Sequence, residues 1–169
     1  MGFLSRMLGA VRPSEMAGIC IGPPPWWRIE GARDAVAFYR ALPVLLPEGV
    51  VLCFEGTIGD LVPAFLAERP SPHYAKVRMG TIWPRPDVHH MQLTQENLQG
   101  LVAILETGIV PYPSHHFHAY KENRVLLSWY DAFADPMLIS MKIGEETVKQ
   151  FSGEIGCVYS LVRASRGGS

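Results

Sequence analysis

The segment from Ser114 to Ile143 restricts the fold more than any other part of the sequence. Two turn signals, at residues 122–123 and 134–136, divide it into three short stretches of apolar and aromatic residues. Strands joined by such short turns pair side by side in opposite directions. The segment therefore predicts a three-strand antiparallel meander.

The register of this meander follows from the loop length. With a two-residue loop at residues 122–123, each residue before the loop faces one at the same distance after it. The predicted pairs are Lys121 with Arg124, Tyr120 with Val125, His118 with Leu127 and His116 with Trp129. A one-residue change in loop length would exchange the two faces.

Side chains alternate along a strand, so the meander has one apolar and one mixed face. The apolar face, which is predicted to pack under helices, comprises Phe117, Ala119, Leu126, Tyr130, Met137, Ile139, Met141 and Ile143. The mixed face comprises His116, His118, Tyr120, Trp129, Asp131, Ser140 and Lys142. Rings beside polar groups are typical of a solvated or binding surface.

The rest of the chain alternates between helix and strand patterns. Strands are predicted at residues 50–54, 74–79 and 88–93. Helices are predicted at residues 31–42, ending before Pro43, at residues 60–69, and between an N-cap at Thr94 and Gly108. A last helix begins at Glu145, where a carboxylate suits the positive end of the helix dipole.

These elements predict an α+β fold, with a mainly antiparallel sheet and three to four helices packed on one face. Because strands and helices alternate in the first half, an interleaved α/β fold with some parallel strands is the alternative. The length of 169 residues fits one domain, predicted at residues 14–162. Residues 1–13 form a predicted amphipathic segment, and residues 163–169 form a predicted flexible tail.

The amphipathic segment carries one apolar stripe at helical spacing, made of Phe3, Leu4, Met7, Leu8 and Val11. The favoured interpretation is that this stripe packs on its own domain. Docking on a partner is a second interpretation. Membrane-surface contact through residues 1–12, or organellar targeting, is a third, since Arg6 and Arg12 occur with no acid before Glu15.

Charge and cysteine content argue against several classes of function. Fifteen Lys and Arg oppose sixteen Asp and Glu, so the chain lacks the positive field that attracts nucleic acid. Cys20, Cys53 and Cys157 form no C-x-x-C pair, which favours a reducing compartment over a disulfide framework. No apolar run approaches the roughly 20 residues that span a bilayer. We therefore expect a cytoplasmic protein that binds no nucleic acid.

Three prolines at residues 23–25 lead directly into Trp26 and Trp27. The prolines predict a rigid, extended arm. Because Trp is highly buried on average, the favoured interpretation is that the two rings close the edge of a core. The alternative is an aromatic platform for a partner or ligand, since Trp is enriched in binding hot spots.

The mixed face also offers a candidate metal site. His116 and His118 alternate onto one side of a strand, and Asp131 is a candidate third ligand. His89 and His90 are candidates for a fourth. No H-E-x-x-H or other zinc signature supports this site, and the favoured interpretation is half-exposed histidines hydrogen-bonded to neighbours or water. We therefore expect no cofactor and keep a divalent metal as the alternative.

No motif for a catalytic serine elbow, a phosphate loop or a dinucleotide turn occurs in the sequence. We therefore predict a non-enzymatic protein–protein interaction module, such as a small bacterial accessory, immunity or complex subunit. Its candidate binding residues are Trp26, Trp27, Tyr120 and Trp129, of types common in hot spots. One alternative is a small metal-dependent enzyme that uses His116 and His118. The other is a domain that binds a small molecule.

Overall fold

The computed structural model describes residues 17–81 and 83–164, so the predicted segment at residues 1–13 and most of the predicted tail lie outside the described residues. The strands are β1 (Trp26–Glu30), β2 (Val51–Thr57), β3 (Val88–Gln92), β4 (Ser114–Lys121), β5 (Arg124–Trp129), β6 (Met137–Ser140) and β7 (Val158–Val162). The helices are α1 (Ala35–Leu45), α2 (Leu61–Ala67), α3 (Gln95–Glu106) and α4 (Glu145–Glu154).

The strands form one sheet in the order β3-β2-β4-β5-β6-β1-β7, and all neighbouring strands are antiparallel. Four helices pack against it and share one hydrophobic core with it. The predicted α+β fold is therefore confirmed. The alternative with parallel strands in the sheet is wrong for the described residues, because the helical connections return the chain to positions where each strand runs opposite to its neighbours.

The core lies between the helices and one face of the sheet. Phe38 of α1 is fully buried at its centre. Its ring centroid lies 5.6 Å from that of Phe117, 4.9 Å from that of Trp129 and 6.0 Å from that of Phe151. Rings of this size contribute most of the buried apolar area in such a cluster. The helix layer is thereby fixed to the middle strands β4 and β5.

The helix ends follow the sequence signals in part. Helix α1 begins at Ala35, four residues later than predicted, and α2 spans Leu61–Ala67 instead of residues 60–69. Thr94 caps α3 by accepting the Asn97 N–H at 3.2 Å. Helix α1 does not end before Pro43, as the sequence predicts, but includes it and continues to Leu45. A proline in the last turn removes one backbone donor. The helix continues because Leu45, which is 2% exposed, gains burial in the core.

The meander is present, and its register changes halfway along. The pairs Lys121 with Arg124 and Tyr120 with Val125 are confirmed. A β-bulge between Ala119 and Tyr120 then shifts the pairing by one residue, because Leu126 is an extra residue on β5. The predicted pairs of His118 with Leu127 and of His116 with Trp129 are therefore wrong. The observed pairs are His118 with Ser128 and Phe117 with Trp129.

The same bulge exchanges the faces of two large rings. Trp129, predicted on the mixed face, lies in the core, and Tyr130, predicted on the apolar face, contacts His116 and His118 on the opposite side. Met141, also predicted to be apolar-face core, is 41% exposed beyond the end of β6. The side chains of the meander therefore do not alternate without a break, because the bulge inserts one residue into β5.

Two irregular segments cover part of the face opposite the helices. Residues 17–22 and 74–81 are linked there, with the Ile19 N–H donating to Lys76 O at 2.8 Å and the Arg78 N–H donating to Ile19 O at 2.9 Å. Val77 packs with Val51 of β2 in a second, smaller apolar cluster. The predicted strand at residues 74–79 is therefore wrong, because this segment crosses over the sheet and joins it at no edge.

No helix in the described residues is long and apolar enough to cross a membrane.

Candidate functional site

Three of the four predicted binding rings are buried. Trp27 is 6% exposed, and Tyr120 and Trp129 are each 1% exposed. The ring N–H of Trp27 donates to Ile143 O at 3.0 Å, and that of Trp129 donates to Asp135 O at 2.6 Å. Buried indole N–H groups normally find such partners. These rings hold the sheet to its neighbouring loops and present no binding surface in this conformation.

Trp26 is the one predicted ring that keeps partial exposure. Its ring N–H donates to Gly22 O at 3.0 Å, which links β1 to the end of the proline arm. It lies opposite Ser140 of β6 and Val162 of β7. Because neighbouring side chains on a strand point to opposite faces, Trp26 and Trp27 do not form one platform.

His116 sits in a closed hydrogen-bond network on the face opposite the helices. Its Nδ1 accepts the Asp131 N–H at 2.9 Å, so the ring proton of the neutral form is on Nε2. That Nε2–H donates to Thr81 Oγ1 at 2.8 Å. Both ring nitrogens therefore bind to β4 two neighbouring segments, the turn after β5 at Asp131 and the segment at residues 74–81.

Glu55 holds the segment at residues 74–81, which we call the covering segment, to the sheet. Its side chain is buried, at 2% exposure, and its two carboxylate oxygens accept the N–H groups of Gly80 at 2.9 Å and Thr81 at 2.6 Å. Charge-assisted bonds of this kind offset the cost of burying a carboxylate. The backbone of Gly80 lies so close to the sheet that a Cβ there would be 2.7 Å from ring atoms of both His116 and Tyr130.

His118 is buried and neutral. Its Nδ1 lies 3.0 Å from Ser128 Oγ, and its Nε2 has no hydrogen-bond partner among the described residues. Burial, with a smaller effect from His116, lowers the pKa of His118 to about 3. The ring of Tyr130 lies across it, with centroids 4.9 Å apart. An uncharged imidazole suits this enclosed position, since a charged one would be desolvated.

The candidate metal ligands lie near one another without forming a ligand set. Oδ1 of Asp131 lies 3.8 Å from Nδ1 of His116, but that nitrogen already accepts the Asp131 N–H. His90 of β3 is separated from His118 of β4 by strand β2. Within the described residues, no group of three His, Cys, Asp or Glu side chains is arranged to hold a metal ion. In this arrangement the residues do not fit the divalent metal that the sequence left as the alternative to no cofactor.

The Ser128–His118 contact resembles a nucleophile and its base in composition only. Ser128 is 2% exposed and lies within β5, so a substrate has no approach to its hydroxyl. Cys53 is equally enclosed, and burial raises the pKa of its thiol well above the ordinary value. A nucleophilic cysteine needs the opposite environment. The buried polar side chains Glu55, His116, His118 and Ser128 are therefore suited to a structural role, which is to hold loops and strands in place.

Two exposed rings lie outside this polar network, Tyr74 against His90 of the edge strand β3 and Trp83 five residues before that strand begins. Trp83 is 85% exposed and Tyr74 is 70% exposed, which makes them the most exposed large hydrophobic residues in the described part of the chain. Val88 at the start of β3 is 40% exposed. Exposed Trp and Tyr side chains are typical of interaction surfaces. Sequence reasoning passed over both rings because it treated this stretch as a strand and a loop.

A buried tyrosine positions one of these rings. The hydroxyl of Tyr120 accepts the Ala75 N–H at 3.1 Å and lies 2.9 Å from His90 Nδ1. Burial raises the pKa of Tyr120 to about 12, so at neutral pH the hydroxyl is protonated and can donate a hydrogen bond to Nδ1 of His90. The ring of Tyr74 then stacks on His90, with centroids 4.8 Å apart. Tyr120 therefore fixes the position of the exposed Tyr74 ring indirectly, by holding the His90 ring on which it stacks.

A groove of about 610 Å³ lies between the end of α2, β3 and the covering segment. Its lining residues are Leu66, Ala67, Pro70, Ser71, Tyr74, Lys76, Val77, Met79, Arg85, Val88, His89 and His90. Two of them are cationic, and none is an acid. We call the groove together with Tyr74 and Trp83 the aromatic groove. Its walls are apolar and its charge is positive.

One signal in the sequence points to this surface. Trp83 is flanked by prolines at positions 84 and 86, in a stretch without a strand or helix pattern. A large ring in a segment that prolines keep out of the sheet has few places to be buried. The signal for Tyr74 is weaker, since its exposure depends on where residues 74–81 cross the sheet.

These features define an α+β domain whose seven-stranded antiparallel sheet carries an exposed aromatic groove beside one edge. Comparisons of the chain with protein-family models, with curated proteins and with solved structures found no match.

Proposed function

We propose that the protein is a protein–protein interaction module that binds its partner through the aromatic groove. The observation that carries this proposal is the exposure of Tyr74, which lines a concave surface, together with that of Trp83, which lies two residues before the lining residue Arg85 in the chain. Interfaces are anchored by a few such rings placed around a pocket. Of the rings that the sequence offers as binding residues, Trp27, Tyr120 and Trp129 are buried, so the proposal places the interface on other rings than these and Trp26.

The groove is prepared for binding before a partner arrives. Stacking on His90 restrains Tyr74, and His90 is itself held by Tyr120. Burial, with a smaller effect from His89, lowers the pKa of His90 to about 4, so at neutral pH its ring is uncharged and its Nδ1 can accept a hydrogen bond from the Tyr120 hydroxyl. A ring that is already ordered loses less entropy on binding than a free one.

The chemistry of the groove indicates the kind of partner. Lys76 and Arg85 are among its lining residues, and none of the lining residues is an acid. We propose a partner protein segment that inserts an apolar side chain and carries acidic residues next to it. Complementary charge of this kind mainly speeds association and selects the partner.

The experiment compares partner capture by Trp83→Ala, Tyr74→Ala and the matched control Ile109→Ala. Ile109 is 68% exposed on another part of the surface, so its truncation should change neither binding nor stability. We expect the two groove variants to lose one specific protein from extracts of the native host while keeping the wild-type melting temperature. Identical sets of captured proteins for all four chains would contradict the proposal.

We propose the cytoplasm as its location. The three cysteines are free, with Cys20 exposed, Cys157 partly buried and Cys53 buried. An exposed free thiol persists most readily where reductants keep it reduced. Mass spectrometry of the protein from its native cell, with thiols blocked at lysis, tests this. Recovery of Cys20 as a disulfide would contradict a reducing compartment.

A second candidate function is small-molecule binding in a groove between α1 and α3. This groove has a volume of about 750 Å³, an apolar wall that includes Leu98 and Val102, and an ion pair between Arg40 and Glu106 beside it. Such concave apolar sites are where ligands bind. Native mass spectrometry should detect a small bound mass that Gln99→Trp displaces and Gln150→Trp, on exposed α4, does not. A bound mass that survives Gln99→Trp would exclude this groove.

A further inference from the structure

The two edges of the sheet differ in how their outer backbone groups are used. At the β3 edge, the Ser71 N–H donates to His90 O at 2.7 Å, so the loop after α2 covers the middle of the strand. At the β7 edge, no backbone hydrogen bond from the described residues reaches the side of the strand that faces away from β1. Among the described residues, the outer backbone groups of β7 are therefore left without a strand partner.

Strand β7 also lacks the features that keep edge strands apart. Its sequence, Val-Tyr-Ser-Leu-Val over residues 158–162, contains no charge and no proline. It pairs with β1 along its whole length without a bulge. Val158 is 68% exposed and Leu161 is 36% exposed. Natural proteins protect exposed edges with Lys, Pro or bulges, so an edge without any of them is a site for strand addition.

The residues of β7 are arranged symmetrically about Ser160. If two copies of the strand run antiparallel with Ser160 opposite Ser160 of the second copy, Val158 faces Val162 of that copy and Tyr159 faces Leu161 of it. In this register all pairs except the central Ser160 pair bring together two apolar side chains. Moving the register by two residues places Tyr159 opposite Arg163 or Leu161 opposite Cys157, and leaves Ser160 facing an apolar residue. Only the register centred on Ser160 therefore pairs serine with serine and leaves the remaining β7 pairs apolar.

We propose that two copies of the chain join through β7, with Ser160 on the two-fold axis, so that their sheets become continuous. The partner is a second copy because the strand is complementary to itself, as a closed two-fold interface requires. The interface lies at the sheet edge opposite the β3 edge, next to which the aromatic groove lies, so this proposal does not depend on the proposed function.

The first test is the mass of the full chain in solution, measured by light scattering over a range of concentrations. We expect the wild type to approach twice 18.8 kDa as concentration rises. Val158→Lys should raise the dimer dissociation constant at least tenfold, because it places a charge in the joined edge. The control Ile109→Lys should leave dimerisation unchanged, since Ile109 has the same 68% exposure elsewhere. Melting temperatures verify that both variants are folded.

The second test reads the register. In a chain carrying Cys20→Ser and Cys157→Ser, Ser160→Cys should form an intermolecular disulfide on mild oxidation, because residues on the two-fold axis are within disulfide reach. Leu161→Cys in the same background should not, since its symmetry mates are displaced along the strands by two residues. A monomeric wild type at every concentration, a dimer indifferent to Val158→Lys, or equal cross-linking by both cysteine variants would each overturn the proposal.

Discussion

The hydroxyl of Tyr120 lies 2.9 Å from Nδ1 of His90 and joins a buried strand to an exposed surface. The same hydroxyl accepts the Ala75 N–H, so it holds the covering segment and the edge strand β3 at one point. Tyr74 stacks on the far side of this contact. The order of the aromatic groove therefore depends on a residue that is itself buried, at 1% exposure.

Tyr120→Phe should lower the free energy of unfolding by about 1–3 kcal/mol, because it leaves the Ala75 N–H and His90 Nδ1 without their partner. Urea denaturation measures this. Tyr112→Phe is the control, since the Tyr112 hydroxyl makes no hydrogen bond with the described residues, and it should change stability little. Equal stability of wild type and Tyr120→Phe would show that water replaces the hydroxyl without loss.

Stability should fall with pH below about 6.5 because of His118. Burial lowers its pKa to about 3 in the folded chain, so the unfolded chain binds the proton more readily as the pH falls. The stability present above the unfolded pKa is thus lost progressively towards pH 3. Between pH 7 and pH 5, the wild type should lose about 1–2 kcal/mol more than His118→Gln does.

Urea titrations at both pH values of wild type, His118→Gln and His73→Gln check this difference. His73 is exposed, so its variant should keep the pH dependence of the wild type. If His118→Gln loses as much stability as the wild type does, proton binding by His118 has no part in the acid sensitivity.

Gly80→Ala should destabilise the fold by about 1–3 kcal/mol, because the new Cβ would meet His116 and Tyr130 at 2.7 Å. The matched control is Gly153→Ala in α4, where a Cβ has no heavy atom within 4 Å. That variant should be more stable by about 0.5–1 kcal/mol through helix propensity. Thermal unfolding of the two variants should therefore shift in opposite directions, and a shared direction would contradict the close approach at Gly80.

The tryptophans should separate into two classes by their effect on stability. Trp129→Ala should cost about 3–5 kcal/mol, because the ring is 1% exposed and packs on Phe38. Trp83→Ala should stay within about 0.5 kcal/mol of the wild type, because that ring is 85% exposed. Calorimetry or chemical denaturation distinguishes them. A large loss of stability in Trp83→Ala would mean that its ring is packed in solution.

The amino-acid sequence was sufficient for the elements that local interactions determine. The cap at Thr94 and the apolar stripe of α3 at Leu98, Leu101, Val102 and Leu105 involve residues within a few turns of one another. The hairpin at residues 122–123 likewise needs only its own turn and flanking strands. An antiparallel sheet under helices follows from these elements, because each apolar face must be covered.

The tertiary structure alone decided the positions of the rings and histidines. The bulge at Leu126 exchanges Trp129 and Tyr130 between faces, and one extra residue in a strand leaves no clear mark in a hydrophobic pattern. The burial of His118 and the exposure of Trp83 depend on residues 74–81 crossing a strand some forty positions away in the chain. Contacts over such separations are set by packing and hydrogen bonding in the folded state, so periodicity along the chain does not contain them.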